Sequence, residues 1–288
     1  MWMPSSRRWG ATPDARMKLD LHVHTSASDG ACDPKEVVAL AIQAGLDVIS
    51  ITDHDTVAGV SGAMAAAADY SLHIIPGVEM SSTLQDREYH ILGYFVDPDA
   101  AALKGHEHKA LEGRDHRMIE MVARLRRQGL LIEYDDVLEE AGPERSAIAR
   151  PHLARALVAK GYASSTPDAF DRLIGDGHPA HVPTRLATPE DAIQIILDSG
   201  GIPVWAHPPA ASRSRLLPEF VRAGLRGLEV YRPRSRPDQI LGLEQAAKAS
   251  GLLRTGGSDW HTPDGGAALG DFFVTEDEVA SLLEAGGM

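Results

Sequence analysis

The sequence predicts an α/β fold: a barrel of about seven strands, interrupted by a block of helices. Three observations lead there. Residues 18–78 read strand, helix, strand, helix, strand with short connections, the pattern of a parallel sheet or barrel. The same alternation resumes at Thr188 and carries three further strands. Between them, residues 99–181 have helical periodicity and no strand-like run.

Taken in order, the first strand covers 19–25, with Leu19, Leu21 and Val23 alternating against Asp20, His22 and His24. Asp33-Pro34-Lys35-Glu36 then opens a helix, with Asp33 at the N-cap, Pro34 in the first helical position and Gly45 closing it. A second strand follows at 47–52, an Ala-rich helix at 57–69 and a third strand at 72–78. Residues 88–96 form an extra strand, read as a hairpin arm on the third. The helical block comprises 103–128, 134–141, 151–160 and 166–174, and ends at the turn-rich Gly175-Asp176-Gly177-His178-Pro179. Helices at 190–197, 217–222 and 238–250 then alternate with strands at 202–206, 227–231 and 252–256, and a last helix covers 275–284. The organisation expected is a leader over 1–17 without fixed structure, a barrel from 18–98 and 182–288, and a helical insertion or lid over 99–181.

Composition narrows the function. The single cysteine, Cys32, excludes an intramolecular disulfide and a thiolate zinc site, and suits the cytoplasm. No apolar run approaches the roughly 18 residues of a membrane span, and the basic N-terminus lacks the apolar stretch of a secretory signal. With 28 Lys+Arg against 41 Asp+Glu, the formal charge is −13. That balance argues against a grip on duplex DNA and fits small anionic ligands held locally by metal and a few arginines.

His22 and His24 lie two apart on a strand, so both imidazoles point the same way and suit one metal ion. Their company strengthens the reading: His54, Glu79, His207, Asp259 and His261 all fall at predicted C-terminal strand ends, where barrels carry their functional residues. His90 is on the extra strand, and Asp29 is in the loop after the first strand. Nitrogen and oxygen ligands without sulfur suit manganese, zinc or iron. Nine candidates exceed what one ion needs, so two to three divalent ions are expected. Asp20, Asp53 and Asp55 are candidates to orient the metal histidines. His106-Glu107-His108 serves as an internal control: two apart on a helix, these histidines do not share a face, and both are read as solvated, as are His73 and His116.

Together, His-x-His-Thr-x-x-Ser-Asp-Gly at 22–30, Ile-Thr-Asp-His-Asp at 51–55, Pro-Gly-Val-Glu at 76–79, Ala-His-Pro at 206–208 and Gly-Ser-Asp-x-His at 257–261 resemble the PHP (polymerase and histidinol phosphatase) family. The likeness is greatest to its small, stand-alone bacterial metal-dependent phosphoesterases, and Arg150-Pro151-His152 extends it into the insertion. It implies a distorted (β/α)7 barrel with up to three metals: one on His22, His24, Glu79 and Asp259; a second on a bridging Glu79 with His90 and His207; a third on Asp29, His54 and His261.

A hydroxide between two cations would attack phosphorus in line, while the cations neutralise the phosphoryl and leaving oxygens. The substrate contacts expected are Arg150, Arg232 and Ser26, with Arg213, Arg215, Arg234 and Arg236 adding basic charge at the mouth. By resemblance, the leading function is removal of the 3′-phosphate from a nucleoside 3′,5′-bisphosphate, the alternative being 5′-to-3′ trimming of short single-stranded RNA. A histidinol phosphatase fits the arginine-rich mouth poorly. An amidohydrolase would need a strand-end lysine to carbamylate, and no lysine falls there. A non-catalytic regulatory metal module is the reading of another class.

Overall fold

A computed structural model describes residues 16–85, 87–142, 148–183 and 187–288. The expected leader therefore lies, through residue 15, outside the described residues.

Four-residue β2 (Val48–Ile51) and β5 (Ile202–Trp205) are wholly buried, as apolar runs flanked by helices on a parallel sheet should be. With β1 (Lys18–Val23), β3 (His73–Leu84), β4 (Arg87–Tyr94), β6 (Gly227–Tyr231), β7 (Leu253–Gly256) and β8 (Val274–Thr275) they form one sheet in the order β7-β6-β5-β4-β3-β2-β1-β8. Helices α1 (Pro34–Gln43), α2 (Ala58–Ala67), α7 (Pro189–Asp198), α8 (Ala210–Ala223), α9 (Pro237–Ser250) and α10 (Glu276–Ala285) accompany it. Asp33 caps α1 as predicted: its side chain accepts from the Lys35 and Glu36 amides, and Glu36 accepts in return from the Asp33 amide. Trp205 and Phe220, in edge contact at 4.7 Å, anchor the larger core between sheet and helices.

Three features depart from the predicted elements. β4 is more than the hairpin arm expected: it pairs antiparallel with β3, and on its other side it also pairs with β5, which makes it a stave of the barrel. An eighth strand, β8, pairs antiparallel with the start of β1; two residues are too few to leave a periodic signal. Helix α8 begins at Ala210, so Arg213 and Arg215 stand on it, and Pro218 lies inside it.

The ring closes where the chain leaves β7. Asp259 donates its amide to the His22 carbonyl at 2.9 Å, and His24 donates to the Trp260 carbonyl at 2.9 Å. The closure is tight because residue 257 is glycine: a Cβ there would sit 2.4 Å from both the Cβ and the backbone nitrogen of His22.

Residues 99–181 contribute α3 (Ala101–Arg127), α4 (Tyr134–Ala141), α5 (Arg150–Ala159) and α6 (Thr166–Ala169), the last running into a π-helical turn at Phe170–Ile174. They gather round a separate apolar cluster that includes Met118, Met121, Leu125, Leu153 and Leu157. Helix α3 also reaches the barrel, and here one expectation fails. His106 is buried at 6% exposure and donates to Asp55 at 2.8 Å, while His108 faces out. The two do take opposite faces of the helix, but one of those faces lies on the barrel. His73 and His116 are exposed.

Gly257→Ala is expected to lower stability by about 1–3 kcal/mol through overpacking against β1. A fall in the urea midpoint at unchanged slope would show it; an unchanged midpoint would contradict the tight closure.

Candidate metal centre

The centre forms at the C-terminal ends of β1 and β2, within β3 and β4, and in the segments after β5 and β7. Its middle is Glu79, 1% exposed. Five imidazoles approach its carboxylate: His22 at 3.1 Å, His24 at 3.2 Å, His54 at 3.4 Å, His90 at 2.9 Å and His207 at 3.0 Å. The two oxygens divide the work. Oε2 meets the Nε2 atoms of His22 and His24, and Oε1 meets His90 Nδ1 and His207 Nε2, which are 3.2 Å from each other.

Asp259 Oδ1 lies 3.4 Å from both His22 Nε2 and His24 Nε2. With Glu79 Oε2 this makes four donors within 4.8 Å of one another, each carboxylate oxygen 3.1–3.4 Å from both imidazole nitrogens; ligands about 2.0–2.2 Å from a tetrahedral ion would sit about 3.3–3.6 Å apart. A second group brings His54, Glu79 and His90 together, and a third His24, Asp29, His54 and His261. All nine predicted ligands thus converge. His24 and His54 each belong to two of the groups, a sharing the sequence did not indicate.

These residues fit divalent ions. His22 Nε2, His24 Nε2, His54 Nδ1 and Glu79 Oε2 are buried with no hydrogen-bond partner, an arrangement costly for the protein unless something else binds them. Charge points the same way. Burial would raise the Glu79 carboxyl, but His22, His54 and His90 hold it well below the carboxylate range. Burial pushes His54 down to about 4, leaving its lone pair available at neutral pH. Burial also opposes protonation of His24 and His90, yet the carboxylates against them raise both to about 10.

Three of the other ring nitrogens are fixed from behind. His22 donates from Nδ1 to Glu229 Oε1 at 2.8 Å, both side chains fully buried. His90 donates from Nε2 to Glu88 at 3.1 Å, and His261 from Nδ1 to the Asp259 carbonyl at 2.9 Å. Glu229 also accepts the His207 amide at 2.7 Å, holding that residue at φ +31°; Asp259 sits at φ +59°. Such strained backbone persists only where surrounding bonds hold it, as here.

None of Asp20, Asp53 and Asp55, the candidates to orient the metal histidines, hydrogen-bonds an imidazole of the centre. Asp20 accepts the Ser258 amide, Asp53 holds Thr25 and Ser28, and Asp55 faces α3. Each binds backbone, hydroxyls or the insertion, and the carboxylates behind the rings come from Glu229 and Glu88 instead. Glu229 left a signal: a charge between Leu228 and Val230, in a strand that must be buried on both faces.

A cleft of about 360 Å³ opens onto the centre, lined by His54, Glu79, His90, His207, Arg232, Asp259 and His261. Of the predicted substrate contacts, only Arg232 lines it, 3.8 Å from Asp259. Arg150 lies on α5, 2.7 Å from Asp176 and 4.0 Å from Glu88. Ser26 is half-buried in the loop after β1 and gives its amide to the Cys32 carbonyl. Arg234 and Arg236 are exposed, and Arg236 pairs with Asp238.

Residues 20–144 match the PHP domain model. The chain is 35% identical to a 5′-3′ exoribonuclease of Haemophilus influenzae, covering 93% of this chain and 98% of that protein. It is 34% identical to a 3′,5′-nucleoside bisphosphate phosphatase of Chromobacterium violaceum, covering 90% and 92%. Among solved structures, a candidate metal-dependent phosphoesterase from Bifidobacterium adolescentis superposes with a TM-score of 0.84 at 33% identity, over 94% of this chain and 97% of that one. A barrel with this donor cluster, matched nearly end to end by such relatives, belongs to the PHP family of metal-dependent phosphoesterases.

Proposed function

We propose that this chain is a hydrolase of phosphate esters in nucleotides, acting best on a nucleoside 3′,5′-bisphosphate, from which it removes the 3′-phosphate. The observation that carries the reading is Glu79, whose two oxygens face two separate sets of histidines. Glu79 would bridge two ions, one with His22, His24 and Asp259 and one with His90 and His207, while Asp29, His54 and His261 would hold a third; manganese, zinc or iron suits these donors. When bound, such ions lower the pKa of water and neutralise phosphoryl charge. The protein's own groups do the rest. Glu229 and Glu88 accept from the outer ring nitrogens of His22 and His90 and so aim the inner nitrogens at the centre. Arg232 offers its guanidinium to a phosphoryl oxygen at the cleft wall.

The insertion, 99–181, would serve as a lid that brings Arg150 to the substrate. Its present partner Asp176 has an exposed side chain and competes weakly for the guanidinium. A small substrate fits the acidic balance of −13 better than a duplex. No described helix is long and apolar enough to cross a membrane. The second reading, 5′-to-3′ trimming of short RNA, is favoured by the near full-length likeness to the Haemophilus exoribonuclease. The full set of donors weighs against a purely regulatory module, and no lysine among the described residues lines the cleft to support amidohydrolase chemistry.

Manganese-loaded protein is expected to release the 3′-phosphate of adenosine 3′,5′-bisphosphate, with His22→Ala abolishing turnover. Cleavage of a 5′-phosphorylated oligoribonucleotide alone would favour the second reading, and inertness toward both would overturn the nucleotide assignment. Glu229→Gln is expected to weaken metal affinity by about 10- to 100-fold, measured by calorimetric titration. Because the carboxylates against them raise His24 and His90 to about 10, both rings are protonated at neutral pH when no metal is bound. Loading must displace these protons, so apparent affinity falls as pH drops; between pH 8 and 6 the manganese Kd should rise roughly tenfold or more, with proton release in weak buffer.

A further inference from the structure

Beyond the metal ligands lies a buried polar cluster with no part in the chemistry above. Asp55 is 3% exposed and stands at φ +58°, a left-handed conformation uncommon outside glycine. Its amide donates to the Glu79 carbonyl at 2.9 Å. Its Oδ1 accepts the Ser81 amide and His106 Nε2, each at 2.8 Å, and its Oδ2 pairs with Arg114. Arg114, 6% exposed, also donates to Ser81 Oγ at 2.9 Å. His106 and Arg114 both belong to α3, so the insertion grips both sides of one seam.

The place of that seam gives the cluster its meaning. The β2–β3 ladder ends at Ile51 and Pro76. Beyond it, among the described residues, the two strands are joined by a bridge at His54 and Glu79, made of the Glu79 amide on the Asp53 carbonyl and the Asp55 amide on the Glu79 carbonyl, and by the Asp55 side chain. The seam therefore carries two metal-site residues and little else. A buried ion pair is poor value as a source of stability compared with apolar packing of the same volume. Here it fixes direction: it holds residue 55 in a strained turn, and that turn sets where the preceding His54 side chain leaves the backbone relative to Glu79.

We infer that Asp55, clamped by Arg114 and His106 of α3, is a positioning residue that sets His54 against Glu79 and so ties the helical insertion to the metal centre. The inference rests on the reading of His54 and Glu79 as metal ligands. Asp55 touches no imidazole of the centre and acts through the backbone.

The test measures metal binding in the intact chain. Wild type, Asp55→Asn, Arg114→Lys and His106→Asn are loaded with manganese, dialysed, and compared for metal content, manganese Kd and thermal midpoint. The expected result is a lower metal content and a Kd raised about tenfold or more in Asp55→Asn, the range found when groups supporting metal ligands are lost. Arg114→Lys, which keeps the charge, should recover part of that loss. On substrate, kcat should fall while KM changes little. Wild-type metal content and Kd in Asp55→Asn, with only a lowered thermal midpoint, would overturn the inference and leave a structural pair. If Asp55→Asn does not fold, Arg114→Lys and His106→Asn decide in the same way: unchanged metal Kd in both overturns it. If wild type binds no manganese, the ligand reading itself fails, an outcome distinct from failure of the clamp.

Discussion

A single buried carboxylate with five imidazoles against it is the constraint from which the rest of this structure follows. Glu79 at 1% exposure could not stay ionised in an apolar barrel without positive charge beside it, whether from protons or from metal. The fold answers by bringing histidines in from several strands: β1 supplies His22, with His24 just beyond its end, the segment after β2 supplies His54, the interior of β4 supplies His90, and the turn after β5 supplies His207. Three rings of the centre are braced from outside, His22 by Glu229, His90 by Glu88 and His261 by the Asp259 carbonyl, and these acceptors decide which of their nitrogens point inward. Strained backbone at His207 and Asp259 is the cost of aiming donors from short loops.

The helical insertion belongs to this arrangement although it has an apolar core of its own. Its long helix α3 descends to the His54–Glu79 seam through His106 and Arg114, and its α5 carries Arg150 toward Glu88, the carboxylate behind His90. Two supports of the metal site are thus within reach of the element proposed to cover the substrate. A phosphate that drew Arg150 away from Glu88 would alter the surroundings of His90 directly.

Much of this was legible in the sequence, for physical reasons. Strand alternation placed His22 and His24 on one face, and most of the nine candidate ligands stood out because polar residues at the ends of buried strands have few other uses. Elements with strong caps, such as the helix opened by Asp33 and Pro34, were easy to bound. What escaped detection was set by partners distant in sequence. His106 looked like a surface residue because helical spacing says nothing about which face meets the barrel. Glu229 could have been found, since a charge within Gly227–Tyr231 has to be paired in a wholly buried strand. Nothing local to β4 reveals that it joins β3 to β5, because that depends on where residue 202 returns after the insertion.

The most direct test of the centre is anomalous diffraction from manganese-loaded crystals. Two or three peaks are expected around Glu79, one beside Oε2 with His22, His24 and Asp259 and another beside Oε1 with His90 and His207. A single peak distant from Glu79, or none at full loading, would contradict a centre built on a bridging carboxylate.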